Sequence, residues 1–149
     1  MNRVLFVCIA ALGMLGLGCQ PAAQPPVEVS NAWLRAPAPG KQVTAAYMSI
    51  QNNSDAALVI DRVSSTQFAR VEIHATQMQD GTMRMREQAA LTIAPGERIS
   101  LAPGGLHLML FDPTDAVDAG STVDITLATG SQPVAQLTVP VSRDNPYAD

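Results

Sequence analysis

The sequence predicts an all-β domain, an antiparallel Greek-key β-sandwich or barrel, and three observations carry that expectation. Its apolar segments are short, and several alternate apolar with polar residues. Clusters of Gly, Pro, Asn and Asp separate them at short intervals. No stretch shows the three-to-four-residue apolar repeat of a helix more strongly than the two-residue repeat of a strand.

Taken in order, the chain opens with a segment outside the fold. Asn2 and Arg3 precede an apolar run from Val4 to Gly18, fifteen residues long. That is short for a membrane span and fits the apolar region of a secretory signal peptide over residues 1–18. The run closes on Leu15-Gly16-Leu17-Gly18-Cys19, which resembles a bacterial lipoprotein cleavage box and makes Cys19 the expected lipid attachment point, with ordinary cleavage a few residues later as the alternative. Residues 19–26 are a proline-rich stretch suited to a tether. The expected protein is therefore exported, periplasmic and held to a membrane by lipid.

The domain is expected over residues 27–142. Strands are predicted at Val27 to Arg35, Thr44 to Asn52, Ala57 to Ser64, Arg70 to Met78, Thr82 to Gln88, Glu97 to Leu101, Leu106 to Asp112, Thr122 to Ala128 and Gln132 to Val141. Turn chemistry falls between them at Pro37 to Gly40, Asn52 to Asp55, Asp80-Gly81, Ala94 to Gly96, Pro103 to Gly105, Asp118 to Gly120 and Thr129-Gly130. Residues 143–149 read as a short polar tail. Trp33 and Tyr47 are expected in the core. Asp112, Asp115, Asp118 and Asp124 lack the spacing of a calcium loop and are expected in solvated turns.

Charge and cysteine content exclude several chemistries. The chain carries a net charge of −4, and removal of Arg3 with the leader makes it more acidic, so nucleic acid is not an expected partner. Cys8 falls in the leader and Cys19 before the domain, which leaves the fold without a disulfide, a catalytic thiolate or the His₂Cys core of a blue-copper centre. With only two histidines and no carboxylate pair at a telling spacing, an enzyme is not expected.

The two histidines sit among methionines. His74, Met85, His107 and Met109 are spaced H-x₁₀-M-x₂₁-H-x-M. Imidazole and thioether together suit Cu(I), whereas hard divalent ions gain little from such a set. Strand alternation sharpens the pattern. In Leu106 to Leu110 the three leucines share one face while His107 and Met109 share the other. In Val71 to Ala75 the apolar residues again point one way, leaving His74 with Glu72 on the opposite side. Met83 and Met85 share a face opposite Arg84 and Arg86. Taken alone, that segment equally describes two packed methionines, so ligand and core readings both stand for Met85. For Met83 and Met78 the gap-filling role of methionine is preferred, with both kept as auxiliary candidates.

The same spacing, with Asn31 to Ala36, Ala45 to Met48, Met83 to Arg86 and Gly104 to Leu110, resembles the periplasmic Cu(A) chaperone family across residues 27–141. The resemblance implies a cupredoxin-like sandwich, monomeric, that binds one Cu(I) through His74, Met85, His107 and Met109. It also implies delivery to the Cu(A) subunit of cytochrome c oxidase alongside thiol-containing assembly factors. Many relatives add a His- and Met-rich tail that takes a second copper; here neither residue follows Met109, and a second copper site is not expected. Two other readings remain open: a copper-sequestering resistance protein with the same ligands, and an interaction sandwich that holds no metal.

Overall fold

Alternating segments become strands wherever their apolar side chains find one common core. The computed structural model describes residues 25–148, and every regular element within them is a strand. The leader, Cys19 and most of the tether lie outside the described residues. The strands are β1 (Val27–Arg35), β2 (Val43–Asn52), β3 (Leu58–Ile60), β4 (Arg62–Ser65), β5 (Phe68–Gln79), β6 (Thr82–Glu87), β7 (Leu91–Ile93), β8 (Arg98–Leu101), β9 (Leu106–Pro113), β10 (Thr122–Thr129) and β11 (Gln132–Ser142).

One hydrogen-bonded path runs β4-β10-β11-β1-β2-β9-β5-β6, with β8 also on β2 and a separate β3-β7 pair. Neighbours are antiparallel except β1 and β11, which run parallel through Leu34↔Val141. The path stays open at β4 and β6 and folds over as a sandwich. Val123, Ile125 and Leu127 of β10, with Val139 and Val141 of β11, meet Leu34, Ala46, Met48, Ile50, Ile73, Leu108 and Leu110 in a single core. Each of these side chains larger than alanine stabilises the fold by roughly 2 kcal/mol relative to exposure.

Three local features depart from the sequence reading. The segment expected as one strand from Ala57 to Ser64 divides at Asp61, because the chain changes partner there: β3 pairs with β7 and β4 with β10. The Asp61 amide donates to Ala128 O, and its carboxylate accepts from the Gly130 amide. The β7 strand, three residues long, has no periodicity to reveal it and exists through pairing with β3. In β1, Asn31 adopts φ +53° and the register with β2 shifts between Ser30 and Trp33. This bulge reverses the alternation. Val29 points inward before it and Leu34 after it, so Trp33 faces outward.

Trp33 is therefore buried, but not in the main core. It packs against Tyr47 with ring centroids 4.9 Å apart, and the Arg35 guanidinium lies near both rings. The tail is not free either. The Tyr147 hydroxyl donates to Ala32 O, and Asn145 and Tyr147 line a hollow with Trp33 and Tyr47. At the other end the Asn53 side chain and amide donate to Pro25 O and Pro26 O, which ties the start of β1 to the β2–β3 turn. Asp112 and Asp124 belong to β9 and β10 rather than to turns.

Asn52 is the principal buried polar anchor. It is wholly buried and donates through Nδ2 to Ala56 O and Ile93 O, while its Oδ1 accepts from the Ser54 amide and hydroxyl. It ties the β2–β3 turn to β7. Asn52→Ala removes the side-chain donor to the buried Ile93 O and the acceptor for the Ser54 amide, and a loss of about 3 kcal/mol is expected in urea denaturation.

Candidate functional site

The β5–β6 hairpin and β9 build one face. Asp80 and Gly81 both have positive φ, +51° and +74°, which gives the two-residue turn whose twist matches antiparallel strands. The register from that turn sets Met83 opposite Met78 and Met85 opposite Thr76. On its other side β5 pairs with β9, where His74 lies opposite His107 and Glu72 opposite Met109. Cross-strand partners share a face, so His74, His107, Met109 and Met85 project from the same side of the sheet. The opposite side carries Ile73↔Leu108 and Ala75↔Leu106 into the core.

The imidazole centroids are 6.1 Å apart. His107 is 5% exposed, His74 and Met109 are half-buried, and Met85 is 54% exposed. The site is thus deeper on its nitrogen side than an exposed edge would be, and open on its Met85 side. The core reading of Met85 does not hold. Met83 and Met78 are more exposed still, at 59% and 68%, so neither fills a gap in the core. The reason is geometric: among the described residues no layer packs over the methionine face at this end of the hairpin.

Each imidazole is oriented by a partner the sequence reading did not single out. A carboxylate accepts, so His74 Nε2–H donates to Glu72 Oε2 at 2.8 Å, which in the neutral ring leaves Nδ1 as the lone-pair nitrogen. That Nδ1 is buried and has no hydrogen-bond partner. His107 Nδ1–H donates to Gly105 O at 2.9 Å, which leaves Nε2 as its lone-pair nitrogen. Gly105 O also accepts from the Thr76 amide, fixing the β8–β9 turn against β5. Glu72 is held in turn by Arg70, whose guanidinium lies 4.0 Å from the Phe111 ring centroid. The signal for Glu72 was present in its i, i+2 spacing from His74. Gly105 offered none beyond turn chemistry.

This is the arrangement a ligating histidine needs: one ring nitrogen tied to an acceptor, the other free. Among the described residues no three His, Cys, Asp or Glu side chains come together. A metal on this face would therefore depend on thioethers.

Fold and face define a small β-sandwich that presents soft nitrogen and sulfur donors on one sheet. The chain belongs to the LpqE-like family, described as "Putative lipoprotein LpqE-like", which matches residues 27–141. It is similar to the putative lipoprotein Lxx21020 of Leifsonia xyli subsp. xyli, 31% identical, covering 94% of this chain and 90% of that one. Among solved structures it is similar to the copper-bound PCuAC domain from PmoF2, with TM-score 0.67, 24% identity and coverage of 82% and 97%. It is also similar to apo-DR1885 from Deinococcus radiodurans, with TM-score 0.60, 25% identity and 97% of each chain covered. The sandwich expected from the sequence is thus the sandwich of PCuAC domains.

The hydrogen bonds fix an expected tautomer for each ring. At a pH where both are neutral, nitrogen-15 spectra should report Nε2–H for His74 and Nδ1–H for His107. Glu72→Ala should turn His74 alone into a tautomer mixture.

Proposed function

We propose that this protein is an exported, lipid-anchored copper carrier. It holds one Cu(I) between His74, Met85, His107 and Met109 and hands it to the Cu(A) site of cytochrome c oxidase. The observation that carries the reading is the β5–β9 register, which sets the two histidines side by side with Met109 and Met85 on the same face. The orphaned His74 Nδ1 supports it, since a buried ring nitrogen without a partner is costly unless something else fills the role.

Similarity to PCuAC domains, one of them copper-bound, supports copper as the cargo. Descriptions of the family and of the Leifsonia relative as lipoproteins support a lipid anchor at Cys19.

Ligand chemistry favours the monovalent ion. Two thioethers and two neutral imidazoles leave its charge uncompensated, and soft sulfur prefers Cu(I) over harder ions. Only the imidazoles compete with protons. Anionic thiolate binds Cu(I) more strongly than thioether, so transfer to a dithiolate acceptor runs downhill. The exposed Met85 is the ligand an acceptor reaches first, whereas His107 releases last. Nothing in this chemistry requires a nucleophile or an acid–base pair, and Glu72, the carboxylate bonded to His74, is also engaged by Arg70. The reading is of a carrier rather than an enzyme.

Competition against a chromogenic Cu(I) chelator tests the site. His107→Ala and Met109→Ala are expected to lose high-affinity binding with the fold retained, and Glu72→Ala to weaken it about 10- to 100-fold. Unchanged affinity in the first two variants would remove the site as drawn, and a chain that retains no metal on dialysis would be an interaction sandwich. Mixing the loaded protein with an apo Cu(A) fragment tests delivery: transfer supports the chaperone reading, and retention of copper means sequestration.

A further inference from the structure

We propose that Met78, Met83 and Met85 form a second, outer Cu(I) site at the tip of the β5–β6 hairpin. It shares Met85 with the histidine site and passes the ion inward. The inference rests on the copper reading above and adds an entry point to it. Three of the four large apolar side chains exposed among the described residues are these methionines. All three lie on one hairpin face. Scattered exposed hydrophobics need no explanation, but three thioethers on one patch form a chemically uniform donor set.

The spacing suits one ion. Met78 and Met83 are directly opposed one pair beyond the closing Gln79↔Thr82 pair. In a two-residue hairpin that closing pair is the hydrogen-bonded one, so Met78 and Met83 form the closer, non-hydrogen-bonded pair. Met85 follows Met83 on the same face at about 7 Å along the strand, within reach of long side chains with three rotatable bonds. Beyond Met85 the face continues to His74, opposite Glu87 on β6 and His107 on β9. Arg84 and Arg86 project from the other face, where Arg86 donates to the Gln79 side chain, so neither cation faces the donors.

The inward step is ligand exchange. Bonds from Cu(I) to the Met78 and Met83 sulfurs break as bonds to His74 Nδ1 and His107 Nε2 form, while Met85 stays bound. Copper remains monovalent throughout. No proton has to leave, because each imidazole already carries its proton on the nitrogen held by Glu72 or Gly105.

The test is titration of the full chain with Ag(I), a closed-shell substitute for Cu(I), observed through carbon-13 labelled methionine methyls. In the wild type the first equivalent should shift Met85 and Met109, and the second Met78 and Met83. In His74→Ala/His107→Ala the first equivalent should shift Met78, Met83 and Met85 together. Met78→Leu/Met83→Leu keeps apolar bulk at exposed positions, so folding is not at stake. It should lose the second equivalent and load more slowly from a Cu(I)–chelator complex, with unchanged affinity for the first ion. Still Met78 and Met83 signals in both wild type and the histidine variant overturn the proposal, and an unchanged loading rate overturns the relay. Movement of Met78 and Met83 without Met109 would instead sink the histidine site and leave the hairpin site standing.

Discussion

The pairing of β5 with β9 is the constraint on which the rest depends. Its register is set on the side away from the site, by Ile73 against Leu108 and Ala75 against Leu106, all anchored in the common core. Side chains alternate with a period of two. A slip of one residue would drive His74 or His107 into that core and put leucines on the outer face. Burial of a few aliphatic side chains thus holds two imidazoles together across a chain separation of more than thirty residues. The site costs the fold little, because its geometry follows from packing that stability already demands.

On the outer face the donors form a gradient. Nitrogen lies deep and oriented, with His74 held by Glu72 and His107 by Gly105. Sulfur lies shallower, from the half-buried Met109 to the exposed methionines of the hairpin tip. The polar network behind His74 runs through Glu72 to Arg70 and on to the Phe111 ring. It lends the imidazole a fixed direction without adding an anionic ligand. A deep, preorganised half beside an open half suits the carrier proposed above, which must both retain and release its ion.

Much of this was legible in the residues. The turns fell where Gly, Asn and Asp clusters stood. The alternation in Leu106 to Leu110 separated core leucines from His107 and Met109, and the same rule set His74 opposite Ile73. Where the reading failed, the cause was non-local. β7 is too short to carry a period and forms through its partner. The Asn31 bulge turns Trp33 to the outer face, and local sequence gives no count of the extra residue. Met83 and Met78 read as packing residues because methionine usually packs, whereas among the described residues no second layer covers that end of the hairpin.

The sequence by itself determined which residues share a face within each strand, where the strands end, and which donor chemistry is present. Those properties depend on the pleat, on turn conformations and on side-chain type, all of them local. The tertiary structure alone decided that β5 sits between β9 and β6, and so which donors become neighbours. Strand order is a matter of which apolar faces close one core, and that choice is made by packing between segments distant in the chain.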